Sequence, residues 1–140
     1  MKKIKQFRRN QSRQIREAAA IPAQNEDVRN FRKIYLDDER PCPPGWVLVK
    51  NSTSLFNILD GEHAAKVQLL SLDWYLGVGI YDGEKIATLL AERFRADPQF
   101  LPSLQGIVFH SSDRSAARRM LNTVFDAVPI DRRADIGFTF

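Results

Sequence analysis

Three short apolar runs in this chain each stop abruptly at polar residues, and that repetition restricts the folds open to it. Lys33-Ile34-Tyr35-Leu36 breaks off into Asp37-Asp38-Glu39-Arg40. Val67-Gln68-Leu69-Leu70-Ser71-Leu72 ends in Asp73, and Leu104-Gln105-Gly106-Ile107-Val108-Phe109 ends in His110-Ser111-Ser112. Runs rich in β-branched and aromatic residues read as interior strands. In an open parallel α/β sheet the carboxyl ends of the strands face one crevice, where ligands bind. The three runs therefore predict one site built from Asp37, Asp38, Asp73, His110 and Ser111. Packed carboxylates repel one another unless a cation, hydrogen-bond donors or water compensate them. Hard divalent cations prefer carboxylate oxygens, so Mg2+ or Mn2+ is the cofactor that Asp37, Asp38 and Asp73 would hold.

The segments between these runs supply the rest of an α/β pattern. Met1 to about Ala20 reads as a helix, and Ile21-Pro22-Ala23-Gln24-Asn25 as a linker. Pro41-Cys42-Pro43-Pro44-Gly45 is closed to a helix, because three prolines remove donors and a glycine follows. Trp46-Val47-Leu48-Val49 reads as a short strand, and Asn51, Ser52 or Thr53 can cap a helix that packs Leu55, Ile58 and Leu59 and ends at Asp60-Gly61. A glycine-bearing loop, Leu76-Gly77-Val78-Gly79, leads to a helix from about Asp82 with Ile86, Leu89, Leu90 and Phe94 on one face. A further helix from about Ser112 carries Ala116, Met120 and Leu121, with Ser111 or Ser112 expected as its cap, and Ile136 to Phe140 can close the sheet. Strands alternating with helices argue for a mostly parallel sheet.

The 140 residues suffice for one globular domain with a real core. Their charge is divided. Residues 1–33 carry ten Lys/Arg against three acids, while the remaining 107 carry 11 against 14. The expected organisation is a basic N-terminal arm and linker over 1–30 and an α/β domain over 31–140. The arm has only a thin apolar stripe, so it is expected to contact a protein complex or a nucleic acid, with a solvated terminus as the bland alternative. No apolar run approaches the roughly 20 residues that span a bilayer, and the basic start has no secretory h-region. The single cysteine, Cys42, rules out an intramolecular disulfide and fits a reducing compartment. A cytoplasmic protein without a membrane partner is the expectation, with a homo-oligomer left open.

Acids after the first strand, an aspartate after the third and a hydroxyl residue after the fourth resemble response-regulator receiver domains. A closer resemblance, over about residues 33–120, is to the receiver-like family predicted to process cyclic phosphates. It is carried by Tyr35-Leu36-Asp37-Asp38-Glu39-Arg40-Pro41 with Pro44-Gly45-Trp46, by Leu70-Ser71-Leu72-Asp73 with Leu76-Gly77, and by His110-Ser111 running on to Arg119-Met120. The resemblance implies a receiver-like (flavodoxin-like) sheet of about five strands with flanking helices, the first receiver helix replaced by the proline-rich loop. It also implies a divalent cation and, if the chain is active, a metal-assisted cyclic-phosphate hydrolase.

The departures from that pattern bear on function. Where the family reads His and Asp after the third-strand aspartate, this chain has Trp74 and Tyr75, and Asp113 replaces an Asn. Acid–base opening of a cyclic phosphate calls for one group to activate the nucleophile and another to protonate the leaving oxygen. Only His110 of the two family histidines remains, and no lysine follows Lys85 to complete a receiver's phosphoryl site. The expectation is therefore a degenerate receiver-like module, a phage or bacterial regulatory or inhibitory protein acting on a macromolecular partner. The alternative is a metal-dependent cyclic-phosphate enzyme or phosphate-ligand binder using the acidic crevice. Arg40, Arg114 and Arg118 are candidate phosphate or partner contacts, and Trp74 and Tyr75 a candidate stacking surface. Against these stand simpler roles: Asp37 bonded to Arg40 in a loop, Asp73 as a loop cap, His110 satisfied in the core, and the arginines on a solvated face. His63 is expected at the surface, and Cys42 is assigned no chemistry.

Overall fold

The three apolar runs form the central strands of one sheet. In the computed structural model, which describes residues 26–73 and 83–140, a short helix α1 (Glu26–Arg29) leads into β1 (Lys33–Leu36). There follow β2 (Val47–Val49), α2 (Ser52–Leu59), a 3-10 turn at Ala64–Lys66, β3 (Leu69–Asp73) and α3 (Gly83–Ala96). The described chain then continues through β4 (Gly106–His110), α4 (Arg114–Ala127), α5 (Ile130–Arg133) and β5 (Gly137–Thr139). All five strands pair in parallel in the order β2-β1-β3-β4-β5. That is the flavodoxin-like order, and the expected receiver-like α/β fold is the one present. The expected helix over about 1–20, its linker, Trp74, Tyr75 and the loop at 76–79 lie outside the described residues.

Side-chain alternation along the strands sorts the core into two unequal layers. Ile34, Leu36, Leu70, Leu72, Ile107, Phe109 and Phe138 face one side and pack with Leu55 and Leu59 of α2, Ile86, Leu90 and Phe94 of α3, and Met120 and Val124 of α4. The other side carries a small cluster of Trp46, Leu69 and Val108, with Tyr35 and Cys42 against it. Helix starts follow local chemistry. Asn51 Oδ1 accepts a hydrogen bond from the Ser54 N–H at 2.9 Å and caps α2, and Asp60 closes that helix. Asp60 then takes a bidentate ion pair from Arg93 of α3, with both contacts at 2.7 Å. One expectation is corrected. Ser111 and Ser112 do not cap α4; Asp113 does, its Oδ1 accepting from the Ser115 and Ala116 N–H groups. His63 lies at the surface with its side chain 39% exposed, its ring stacked on Phe31 with centroids 4.0 Å apart.

The β1–β2 connection explains how a parallel pair forms without a crossover helix. Pro43-Pro44-Gly45-Trp46 makes a tight turn in which the Trp46 N–H donates to the Pro43 carbonyl at 3.3 Å, with Gly45 at φ 88°. Proline at the second position and a positive φ at the third define a type II turn, and only glycine adopts that φ without strain. The turn delivers Trp46, 4% exposed, onto the second face of the sheet. Cys42 is drawn in beside it, its thiol directed at the Trp46 and Pro43 carbonyls at 3.3 and 3.5 Å.

Gly45→Ala should lower stability by about 1–2 kcal/mol, the cost of a left-handed residue with a Cβ, measurable as a fall in thermal midpoint. Burial pushes the Cys42 thiol above its ordinary value, and burial, with the Asp37 charge adding, does the same for the Tyr35 hydroxyl. Both groups hold their protons more tightly folded than unfolded. Unfolding therefore releases protons at alkaline pH, and stability should fall as pH rises from about 8.5 through the folded-state values. Denaturant midpoints at pH 7.5 and pH 10 check this, and Cys42→Ala should shrink the difference.

Candidate functional site

The chain steps outward from β1 to β2 and then returns across β1 to β3, so the direction of winding reverses between β1 and β3. In such sheets the connections diverge at that point and leave a crevice at the carboxyl ends of the two strands. The register fixes what lies there. Leu36 pairs with Leu72, so the next residues, Asp37 and Asp73, leave the sheet side by side, and Asp73 in turn pairs with His110 of β4. Asp37, Asp73 and His110 stand on one face of the sheet, on the same alternation as Tyr35, Ser71 and Val108. The crevice has a volume of about 380 Å³ and is lined by Asp37, Glu39, Arg40, Asp73, Ser111, Ser112 and Asp113.

Asp37 is 2% exposed, and its loop is folded around it. Its Oδ1 accepts hydrogen bonds from the Glu39 and Arg40 N–H groups, both at 2.9 Å, an aspartate-centred turn that the Asp-Asp-Glu-Arg sequence supplies by itself. Among the described residues Oδ2 has only the Arg40 guanidinium, at 3.9 Å, and Arg40 is 61% exposed. That separation is too long for a hydrogen bond, and pairs with one exposed partner contribute little. The simpler role for Asp37, a loop residue bonded to Arg40, thus accounts for one carboxylate oxygen and leaves the other facing the crevice.

Asp38 and Asp73 complete the acidic group. One carboxylate oxygen from each of Asp37, Asp38 and Asp73 lies within 4.8 Å of the other two. Two ligands of one ion can be separated by at most twice the metal–oxygen distance, about 4.2 Å for Mg2+ and up to about 5.2 Å for Ca2+. Three hard oxygen donors at this spacing fit a divalent cation, with a small closure needed for Mg2+. The sequence expectation that the three acids converge agrees with this geometry.

His110 is half-buried and does not line the crevice itself. Its Nε2 lies 2.6 Å from Ser71 Oγ, and Ser71 is 0% exposed. Ser71 is a functional candidate that the reading from sequence leaves out. Its signal is present there, as a lone hydroxyl in an interior apolar strand, two residues before Asp73 and so on the same face. A serine hydroxyl can donate or accept, so it supports either neutral tautomer of the imidazole as well as the charged ring. Ser111 has a local task, accepting the Asp113 N–H at 3.0 Å and bending the chain from β4 into α4. Arg114 and Arg118 are set apart from the acids, both packed against the ring of Phe140.

What the arrangement offers chemically is a carboxylate group suited to a cation, an anchored imidazole one strand away, and hydroxyl and guanidinium groups on the walls. These are the parts needed to hold a phosphate ester and move a proton at it. Among the described residues no helix is long and apolar enough to cross a membrane.

No curated protein and no solved structure matches the chain. A family model does match, described as the cyclic-phosphate processing receiver domain, over residues 32–125. The matched span begins one residue before β1, ends within α4 and takes in every residue that lines the crevice. With the acids, the histidine and the parallel five-stranded sheet in place, the chain belongs to the cyclic-phosphate processing receiver domain family.

Proposed function

We propose that the chain binds a cyclic phosphate ester against a divalent cation in the acidic crevice, and opens it slowly. The observation that carries this reading is the convergence of Asp37, Asp38 and Asp73, of which Asp37 and Asp73 line the crevice with Arg40 and Ser111. The three aspartates would hold the cation, which supplies charge neutralisation for the phosphate oxygens. Arg40, exposed enough to turn inward, is placed to bind a phosphate oxygen by charge-assisted hydrogen bonds.

Opening the ring joins a water oxygen to phosphorus, breaks one phosphorus–oxygen ester bond and moves one proton from the water to the leaving oxygen. His110, paired with Asp73 across β3 and β4 though not itself in the crevice lining, is assigned the transfer of that proton. Ser71 fixes the ring orientation through Nε2 and can complement either tautomer. With Trp74 at the position of the family's other histidine, a single imidazole serves a reaction that two would divide. One member of an acid–base pair typically contributes 10²–10⁴-fold in rate, so slow turnover follows from the sequence.

Trp74 and Tyr75 also favour a second reading. The chain would then be a regulatory or inhibitory module of a phage or bacterial system, holding the ligand without turning it over and acting through a macromolecular partner.

Titration calorimetry with Mg2+ or Mn2+ should give a saturable heat. Asp37→Asn should weaken it by at least about tenfold, the loss typical even when an outer-shell partner of a metal is removed. Absence of metal binding in the wild type would sink the proposal. Conversion of a nucleoside cyclic phosphate, followed by phosphorus NMR, should be slow in the wild type and fall by about 10²-fold or more in His110→Ala. Ser71→Ala should cost roughly fivefold to tenfold, the equivalent of one hydrogen bond, and move the pH profile while leaving metal binding intact. Trp74→His should raise the rate. Ligand binding without turnover in both the wild type and Trp74→His would favour the regulatory reading.

A further inference from the structure

A second cavity, of about 350 Å³, opens beside the first two turns of α4 and is lined by Arg114, Ser115, Arg118, Arg119 and Phe140. The guanidinium carbons of Arg114 and Arg118 lie 5.2 and 5.5 Å from the centroid of the Phe140 ring. Among the described residues no carboxylate pairs with either of them. Their placement is unfavourable for stability alone. Like charges four residues apart on a helix repel, and Arg114, the first residue of α4, sets a cation against the positive end of the helix dipole. The aromatic ring offsets part of this by attracting both cations and restricting their motion. Two guanidiniums pre-positioned around one space lose less side-chain freedom on capturing an anion, and arginine is the cation best matched to phosphate oxygens.

The cavity is continuous in sequence with the acidic crevice. Asp113 lines the crevice and caps α4, and the next residue, Arg114, lines the basic cavity. A ligand held at the crevice that carries a second phosphate would therefore have cationic surface to extend onto. A mononucleotide would leave it unused.

We propose that this cavity is a subsite for a backbone phosphodiester of an oligonucleotide whose terminal cyclic phosphate sits in the acidic crevice. The inference rests on the crevice reading above and adds the substrate class, a single-stranded oligonucleotide rather than a free nucleotide. Guanidinium contacts to the backbone carry no base specificity, so the subsite selects for chain length and charge, not sequence.

Fluorescence anisotropy with the full chain tests this, using one short labelled oligoribonucleotide with either a cyclic phosphate or a plain hydroxyl at its 3′ end. A labelled single-nucleotide cyclic phosphate serves as control. The double variant Arg114→Gln/Arg118→Gln should weaken both oligonucleotides by roughly tenfold. It should also reduce the slope of log K against log salt by about 0.7 for each phosphate that the arginines neutralise in the wild type. It should leave the single nucleotide unaffected. Both side chains are exposed, so the thermal midpoint should hold and a folding defect would be recognised. The proposal is overturned if the double variant binds the oligonucleotides as the wild type does, or if it weakens the single nucleotide equally. A different result tests the crevice. If the cyclic end adds no affinity over the hydroxyl end while the arginine effect persists, the basic cavity stands as a nucleic-acid contact and the crevice reading falls.

Discussion

The site depends on the parallel register between β1 and β3. Leu36 opposite Leu72 is an apolar pair at 0% exposure on both sides, and one residue further the same pairing puts two carboxylates next to each other. Hydrophobic burial therefore holds the acids together. A slip of one residue would turn each strand's apolar set to the opposite face, at about 1.5–3 kcal/mol for each large side chain displaced from the core. The repulsion between Asp37 and Asp73 is thus imposed by a much larger favourable term, which is how a fold can maintain an acidic cluster. The next pairing, Asp73 with His110, extends the same register to β4, so the acids and the imidazole are positioned by one continuous ladder.

Most of the architecture was legible because strand and helix signals were local and mutually consistent. Interior strands carried their apolar runs, the proline-rich loop excluded a helix after β1, and Asp60-Gly61 marked the end of α2. Strand starts were less sharp. Val67 and Leu104 are buried but precede β3 and β4, because apolar residues leading into a strand contribute to the core before backbone pairing begins. The short helices α1 and α5 gave no such signal. Four residues cannot show an amphipathic period, and α5 is held by tertiary contacts instead. Arg132 donates to the Pro98, Phe100 and Leu101 carbonyls at 2.9, 2.7 and 2.6 Å, tying α5 to the loop before β4. Neither partner is recognisable from its own sequence neighbourhood.

In the site, the acids were legible and the arrangement that orients them was not. A carboxylate at the tip of an apolar strand is conspicuous in sequence, and the metal-sized spacing follows from strand adjacency. The division of labour after β4 was less visible. Ser111, Ser112 and Asp113 all have capping chemistry, and the choice among them depends on where the helix begins. Asp113 takes the two orphan N–H groups, which leaves Ser111 to fold the preceding loop. Replacing the family's asparagine by aspartate costs nothing in this role, since both residues rank among the best caps. That departure from the pattern of the resemblance therefore has a structural explanation and carries no argument for lost function.

Ser71 shows how far the site reaches into the fold. A hydroxyl with no exposure in the middle of a central strand is unfavourable unless it is bonded, since an unsatisfied buried polar group costs about 1–3 kcal/mol. Its partner is a side chain, His110, and not a neighbouring strand's backbone. A fold selected only for stability would place an apolar residue there, as it does at Leu69, Leu70 and Leu72 on either side. The serine is accounted for if the imidazole needs a fixed orientation and a partner able to donate or accept as its proton comes and goes. The polar face that carries the acids accordingly extends one full side-chain layer below the strand tips. Lys33, Asp37 and Thr139 are further buried polar side chains on that face, and the packed core with the three long helices lies on the opposite face.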